Sequence, residues 1–498
     1  MEVTELHEEL DVLVVGAGIS GIGAGVHLQK RCPTHSYAIL EMRERLGGTW
    51  DLFRYPGIRS DSDMYTLGYR FRPWDAPQAI ADGPSILRYL EDTAREYGVD
   101  EKIRYGKKVE RAEWSSAHAR WTIRVRDLAS DTLHTIRCKF LFVCTGYYRY
   151  ESGFTPEFDG LSRFQGRVVH PQRWTDDIEY AGKRVVVIGS GATAVTLVPS
   201  LAKRAAHVTM LQRSPTYVVS RPGRDPLSEW LHGKLPEALT YRINRWKNWS
   251  LQQLMFNLSR RFPEQIKEWM VAQVRAEIGD KAEPHFRPHY APWTQRVCLI
   301  PDGDLFKSIN EGRASVVTDE IATFTETGVQ LKSGDLIDAD LVVTATGLHV
   351  QFFGGAEMVV DGEPVHMTDK MAYRSMMLSD VPNMAFTVGY TNASWTLKVD
   401  LTCEYVTRLL RHMEEHGHDV CCPESDPTVG RAPLLNLTSG YLSRALDRLP
   451  RAGATGPWRV FNSYARERAA LRLARVDDGV MQFSTVVECA SKPATTAA

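Results

Sequence analysis

Short apolar runs that stop on glycine or on a polar residue alternate along the chain with stretches whose apolar residues recur at helical spacing. Val12–Val15, Tyr37–Leu40, Phe140–Val143, Arg184–Ile188, Val208–Leu211 and Leu341–Thr344 are such runs. Their length and their glycine punctuation predict short buried strands. Between Pro222 and Tyr290 the strand signals stop. There Leu251, Leu254, Met255 and Leu258, then Ile266, Trp269, Met270 and Val274, repeat every three or four residues, which predicts an inserted helical subdomain.

The first run, in DVLVVGAGISG, ends on Gly16-x-Gly18-x-x-Gly21 and enters a helix. Strand, glycine turn and helix together form the Rossmann fingerprint: Gly16 makes the tight turn, Gly18 lets the backbone approach a pyrophosphate, and Gly21 lets the helix pack on the strand. The helix N-terminus then points at the phosphates. The second run delivers Glu41, 41 − 16 = 25 positions after the first glycine, where a carboxylate binds ribose hydroxyls and disfavours a 2′-phosphate. FAD or NAD suits this site better than NADP.

The pattern recurs at Gly189-x-Gly191-x-x-Ala194, after the run Arg184–Ile188 and before a helical stretch through Leu201. The strand that follows ends at Gln212-Arg213, so the place held by Glu41 in the first unit carries a guanidinium. A solvated surface arginine is the plain alternative, but its position after the strand suits bidentate binding of a 2′-phosphate, and the second site is expected to prefer NADPH over NADH. Thr145-Gly146 and Ala345-Thr346-Gly347 resemble the exit segments of flavoproteins with two dinucleotide folds. The fold class expected is α/β, with two Rossmann-like dinucleotide-binding domains and an inserted helical subdomain. The expected division is an FAD-binding part over 1–150, an NADP-binding part over 151–221, the helical insertion over 222–290, a second NADP-binding part over 291–350, a C-terminal FAD-binding part over 351–485 and a disordered tail over 486–498.

At 498 residues several cores are expected. Sixty Lys and Arg against 61 Asp and Glu leave a net charge of −1, so nucleic acid is not an expected partner. The eight cysteines form no Cys-x-x-Cys pair, and Pro284 and Pro288 interrupt any helix that would bring His285 and His289 together, so no metal is expected. The acidic MEVTELHEELD is wrong for a secretory leader, and a cytoplasmic setting is expected. Trp230, Trp246, Trp249 and Trp269 in the helical insertion suit a substrate entrance or a weak peripheral membrane contact, with core packing the commoner fate of such stripes.

Two longer stretches are more specific. Gly47-Gly48-Thr49-Trp50-Asp51-Leu52-Phe53-Arg54-Tyr55-Pro56-Gly57-Ile58-Arg59-Ser60-Asp61, and Phe164-x-Gly166-x-x-x-His170-x-x-x-Trp174, resemble the two signatures of the Baeyer–Villiger monooxygenases. The second departs at its end, with Thr175 and Asp176 where the family has Pro or Asp directly after the Trp. The resemblance spans residues 8 to 485. It implies bound FAD, NADPH as reductant, dioxygen as co-substrate, and small ketones, sulfides or thiocarbonyls as substrates. It implies cofactor contacts for Gly48, Thr49 and Trp50, an active-site role for Arg296, and for Asp61 the holding of that arginine, against a plain reading of Asp61 as a helix N-cap. Gln295 stands where many relatives have Lys, which leaves more of the 2′-phosphate to Arg213. His170 is expected to link movements of the NADP domain to the flavin site rather than to act as acid or base. An N- or S-oxygenating flavin monooxygenase is the nearest alternative. A flavin disulfide reductase would need a redox dithiol, and Cys421-Cys422 would make a strained bridge.

Overall fold

The computed structural model describes residues 4–434 and 440–486. The tail expected to be disordered lies outside them from residue 487 onward.

The first apolar run is the end of a longer strand, β1 (Thr4–Val15), flanked in parallel by β2 (Tyr37–Leu40) and β3 (Thr132–Val143). The N-terminal part of β1 escapes the apolar pattern because Glu8 and Glu9 satisfy their charges on Arg104 and Arg120 while their backbones pair with β3. Alternate residues bury opposite faces. Val12, Val14, Phe140 and Phe142 join Ile22 and Val26 of α1 (Ile19–Arg31) in one core cluster. Leu13, Leu141 and Val143 join Trp114 and Trp121 in another. Burial on both faces is why these strands read as continuous apolar runs. The sheet continues to nine strands through the antiparallel pair Lys107–Ser115 and Arg120–Asp127, whose alternating pattern the glycine-stopped runs do not capture.

The second sheet is five-stranded and parallel. Its order is Ala314–Thr318, β5 (His207–Gln212), β4 (Arg184–Ile188), β6 (Leu341–Thr344) and Arg167–Val169. Val185 and Val187 pack on Val195 and Val198 of α2 (Ala192–Leu201), while Val186 and Ile188 face Phe324 and Val329 of a small three-stranded sheet. The chain crosses between the two sheets on Tyr148–Gly153 and Leu348–Val350, which pair with each other antiparallel.

Between β5 and the strand Cys298–Pro301 come Pro226–Leu231, α3 (Glu237–Arg261) and α4 (Pro263–Ile278). The expectation that the tryptophans pack inward fails for three of the four. Trp249 packs edge-on against Tyr464 at 5.4 Å, but Trp230, Trp246 and Trp269 are 62%, 64% and 44% exposed. For Trp246 the reason lies on the inward face of α3, which is taken by Tyr241, Asn244 and Arg245. The Arg245 guanidinium donates to the carbonyls of Tyr65 at 2.8 Å and Gly68 at 2.7 Å and pairs with Asp400 at 3.3 Å. A polar anchor thus occupies the side that apolar periodicity assigns to the core. Helix α5 (Trp395–His416) returns to the first sheet's side and packs against α1 and against the later helix Tyr464–Leu473.

Candidate active site

The β1–α1 turn is compressed. A Cβ at Gly21 would lie 1.8 Å from the Gly16 carbonyl oxygen, so α1 starts hard against the strand end. Gly18 faces Gly48, whose added Cβ would approach the Gly18 Cα to 3.0 Å, and the two bare backbones form the floor of a cleft. Glu41 at the end of β2 is buried, its two carboxylate oxygens accepting the N–H groups of Ala17 at 2.8 Å and Arg43 at 2.9 Å. Burial pushes its carboxyl up, and the two N–H bonds oppose the shift.

The cleft, about 310 Å³, is lined by Gly16, Gly18, Glu41, Gly48, Thr49, Trp50 and Asp61 from the sequence-derived set. Ala192, Thr193 and Thr196 of α2 border it too, so the helix that follows the second glycine turn shares this space, while Gly189 and Gly191 themselves do not line it. Sequence reasoning missed other walls. Trp395 donates its indole N–H to Ser20 Oγ at 2.8 Å and stacks on Tyr147 at 5.3 Å. Asp51, 2% exposed, holds Arg43 at 2.6 Å and Arg54 at 3.0 Å beneath the Gly-Gly-Thr-Trp turn, a contact that the motif's spacing does not reveal.

A second cavity of about 430 Å³ lies between the cleft and the helical insertion, with Val219, Leu251, Met255, Trp269, Trp293 and Leu299 among its walls. Asp61, Ser62, Arg296, Leu299 and Ala393 line both spaces. Arg296 Nη2 stands 3.1 Å from Asp61 Oδ2, each side chain about one-third exposed at 35% and 34%. Asp61 is not a helix cap: Asp63 takes that place, accepting the Thr66 N–H at 3.0 Å. The loop that brings Arg296 here is strained, with Trp293 at φ 64°, a left-handed value uncommon for a bulky residue and concentrated at functional sites. The buried Trp293 indole N–H has no acceptor among the described residues. Gln295 bridges back to Pro292 and lines neither cavity.

At the second turn, a Cβ on Gly191 would meet nothing within 4 Å, whereas Gly189 abuts the Ala345 carbonyl and Ala194, in the first turn of α2, is fully buried. Arg213 is exposed just beyond β5, and Ser190 Oγ donates to Ser214 O at 3.2 Å, tying the glycine turn to the residue beside Arg213.

The second signature clamps the crossing strands. His170 Nε2 lies 3.0 Å from the Gly347 carbonyl and Nδ1 accepts the Gln172 N–H at 3.2 Å. Burial depresses its pKa, so the ring is neutral with its proton on Nε2. Gln172 donates to the carbonyls of Arg149 at 2.9 Å and Tyr150 at 2.8 Å. Phe164 packs on Phe324 at 5.9 Å, Gly166 leaves room for the Phe164 ring, and Trp174 joins Phe53 and Tyr55 in the core that α2 forms on the second sheet. Thr175 hydrogen-bonds Asp177 and lines neither cavity. Cys421 and Cys422 are free thiols.

The flavin-binding monooxygenase-like family model matches residues 73–371, and an NAD(P)-binding Rossmann-like domain model matches residues 14–74. The chain is 52% identical over 483 residues to the FAD-containing monooxygenase EthA of Mycobacterium tuberculosis, covering 96% of this chain and 98% of the relative. It is 46% identical to the probable FAD-binding monooxygenase AlmA of Acinetobacter baylyi, covering 98% and 99%. Among solved structures, an oxidized steroid monooxygenase bound to NADP superposes with a TM-score of 0.76 at 23% identity, covering 96% of this chain and 100% of the other. Cyclohexanone monooxygenase bound to ε-caprolactone does so with a TM-score of 0.73 at 20% identity and the same coverage. At these identities the two structures speak for the fold.

Proposed function

The chain belongs to the flavin-binding monooxygenase-like family, and from that premise we propose that it is an NADPH-dependent Baeyer–Villiger monooxygenase that inserts one oxygen atom of O2 beside a ketone carbonyl to give an ester or lactone, and also oxidises sulfides or thiocarbonyls. The glycine floor at Gly18 and Gly48, beside the N-terminus of α1 and the buried Glu41, fits FAD: a side chain at either glycine would fill the space a pyrophosphate needs. Residues 1–150 and 351–485 form the FAD-binding domain in this reading, 151–221 and 291–350 the NADP-binding domain, and 222–290 the insertion. Bound FAD, reduced by NADPH, supplies the electrons that activate dioxygen.

The protein's own contribution is positioning and charge. Glu41 orients the ribose of FAD, and Thr49 and Trp50 extend the floor. Arg213 takes the 2′-phosphate of NADPH, at an open turn that a coenzyme can enter and leave. Arg296 is the cation placed for negative charge that develops on oxygen as it adds to the substrate carbonyl, and its guanidinium is charged at any working pH. Asp61 holds that guanidinium at the boundary of the two spaces. The apolar second cavity receives the substrate and limits water at the reacting carbon. His170 bonds through both ring nitrogens to backbone and serves as a strut between the crossing strands, not as a proton carrier.

The observation that carries this reading is Arg296 facing both cavities while paired to Asp61. The test is purified holoenzyme with NADPH, 18O2 and a panel of linear, cyclic and aryl ketones and sulfides. Esters carrying one labelled oxygen support the proposal. Labelled sulfoxides with no ester from any ketone would assign the chain to N- or S-oxygenation instead.

A further inference from the structure

The outward side of α3 is both apolar and basic, and oxygenation makes no use of it. On α3, Leu239, Trp246 and Leu254 are spaced by seven and eight residues, two helical turns each, so they share a face, and they are 41%, 64% and 52% exposed. Trp230 before the helix and Phe262 at its end, 62% and 45% exposed, extend the set. Single exposed apolar residues need no explanation, but an aligned stripe of large ones does.

The charge on the same helix selects the partner. Within α3, Arg242, Arg245, Lys247, Arg260 and Arg261 stand against Glu237 alone, in a chain whose net charge is −1. Arg245 and Lys247 are engaged inward, with Asp400 and Asp225. Arg242, Arg260 and Arg261 are exposed beside the apolar stripe. Exposed tryptophan and leucine flanked by cations match an anionic phospholipid surface, where the rings enter the headgroup boundary and the cations meet phosphates. Among the described residues no helix is long and apolar enough to cross a membrane, so the contact is peripheral.

Helices α3 and α4 also contribute to the wall of the second cavity. Leu251 of α3 and Trp269 of α4 line that cavity and are 38% and 44% exposed. We infer that α3 docks the enzyme on an anionic phospholipid bilayer through Leu239, Trp246 and Leu254, with the mouth at Leu251 and Trp269 turned toward the lipid. The docking holds whatever the chemistry; delivery of an apolar substrate from the bilayer rests on the proposed oxygenation.

The test floats the FAD-loaded, full-length enzyme with vesicles of phosphatidylcholine, with and without phosphatidylglycerol, and runs sedimentation velocity without lipid. Binding is expected to the anionic vesicles and to weaken with salt. A Trp246→Ser/Leu254→Ser variant is expected to lose it by at least about tenfold, and Arg260→Gln/Arg261→Gln to lose about fivefold per cation and most of the salt dependence. Neither variant touches a cavity-lining residue, so NADPH oxidation and melting temperature should match the parent. No flotation with anionic vesicles overturns the inference, as does equal flotation of the Trp246→Ser/Leu254→Ser variant. A dimer that this variant dissociates, without vesicle binding, also overturns it and assigns the face to a second copy of the chain. Because flotation is read without substrate, its result is independent of the ketone panel.

Discussion

Arg296 Nη2 and Asp61 Oδ2 lie 3.1 Å apart where the nucleotide cleft meets the apolar cavity. Both groups are about one-third exposed, so solvent screens the pair and its net worth to stability is about 0 to 1 kcal/mol. The pairing is better understood as aim. It fixes one guanidinium at the boundary of the two spaces.

The compression at the first turn predicts a sharp contrast between two glycines. Gly21→Ala places a methyl 1.8 Å from the Gly16 carbonyl oxygen and must push α1 off β1, at about 1 to 3 kcal/mol or more. Gly191→Ala adds a methyl to open space. Flavin absorbance after gel filtration and a thermal scan should show Gly21→Ala losing FAD and melting early, with Gly191→Ala unchanged in both. Full flavin retention by Gly21→Ala would remove the packing role.

Arg213 is exposed and stands beyond β5 beside the second turn. Arg213→Ala should weaken NADPH by about 1.5 to 3 kcal/mol, the scale of charge-assisted hydrogen bonds, and leave NADH untouched. Steady-state KM values for the two coenzymes check this. Equal losses for both would show that Arg213 does not meet the 2′-phosphate.

These two predictions rest on features legible in the sequence. The turns at Gly16–Gly21 and Gly189–Ala194 and the strands at 37–40, 184–188 and 341–344 are set by neighbours in the chain, and the structure has those strands with the bounds the pattern assigned. What stayed hidden depends on distant contacts. Trp395 meets Ser20 across 375 positions, and no local pattern foretells it. Trp246 points outward because the adjacent Arg245 carries the inward anchor to Asp400, which inverts the usual assignment of polar and apolar faces. The bridge from Gln295 to Pro292 within its own loop is likewise invisible to residue patterns.

His170 gives a prediction in pH. Its folded pKa is depressed, first by burial, and Nδ1 must stay unprotonated to accept the Gln172 N–H. The stability it contributes is therefore present above the unfolded pKa and lost as pH falls through the folded one. Melting temperature should drop from about pH 7 to about pH 5, and the drop should be shallower in His170→Asn, which cannot titrate. Parallel slopes in the two proteins would show that the clamp on Gly347 does not sense protonation.

The most direct test of the central claim is the fate of NADPH electrons in Arg296→Ala. The variant should fold, retain FAD and oxidise NADPH, with ester formation down by about a hundredfold or more, the scale for removing a donor aimed at developing charge on oxygen. The consumed NADPH should appear as hydrogen peroxide. Ester yield per NADPH equal to that of the parent would contradict the account.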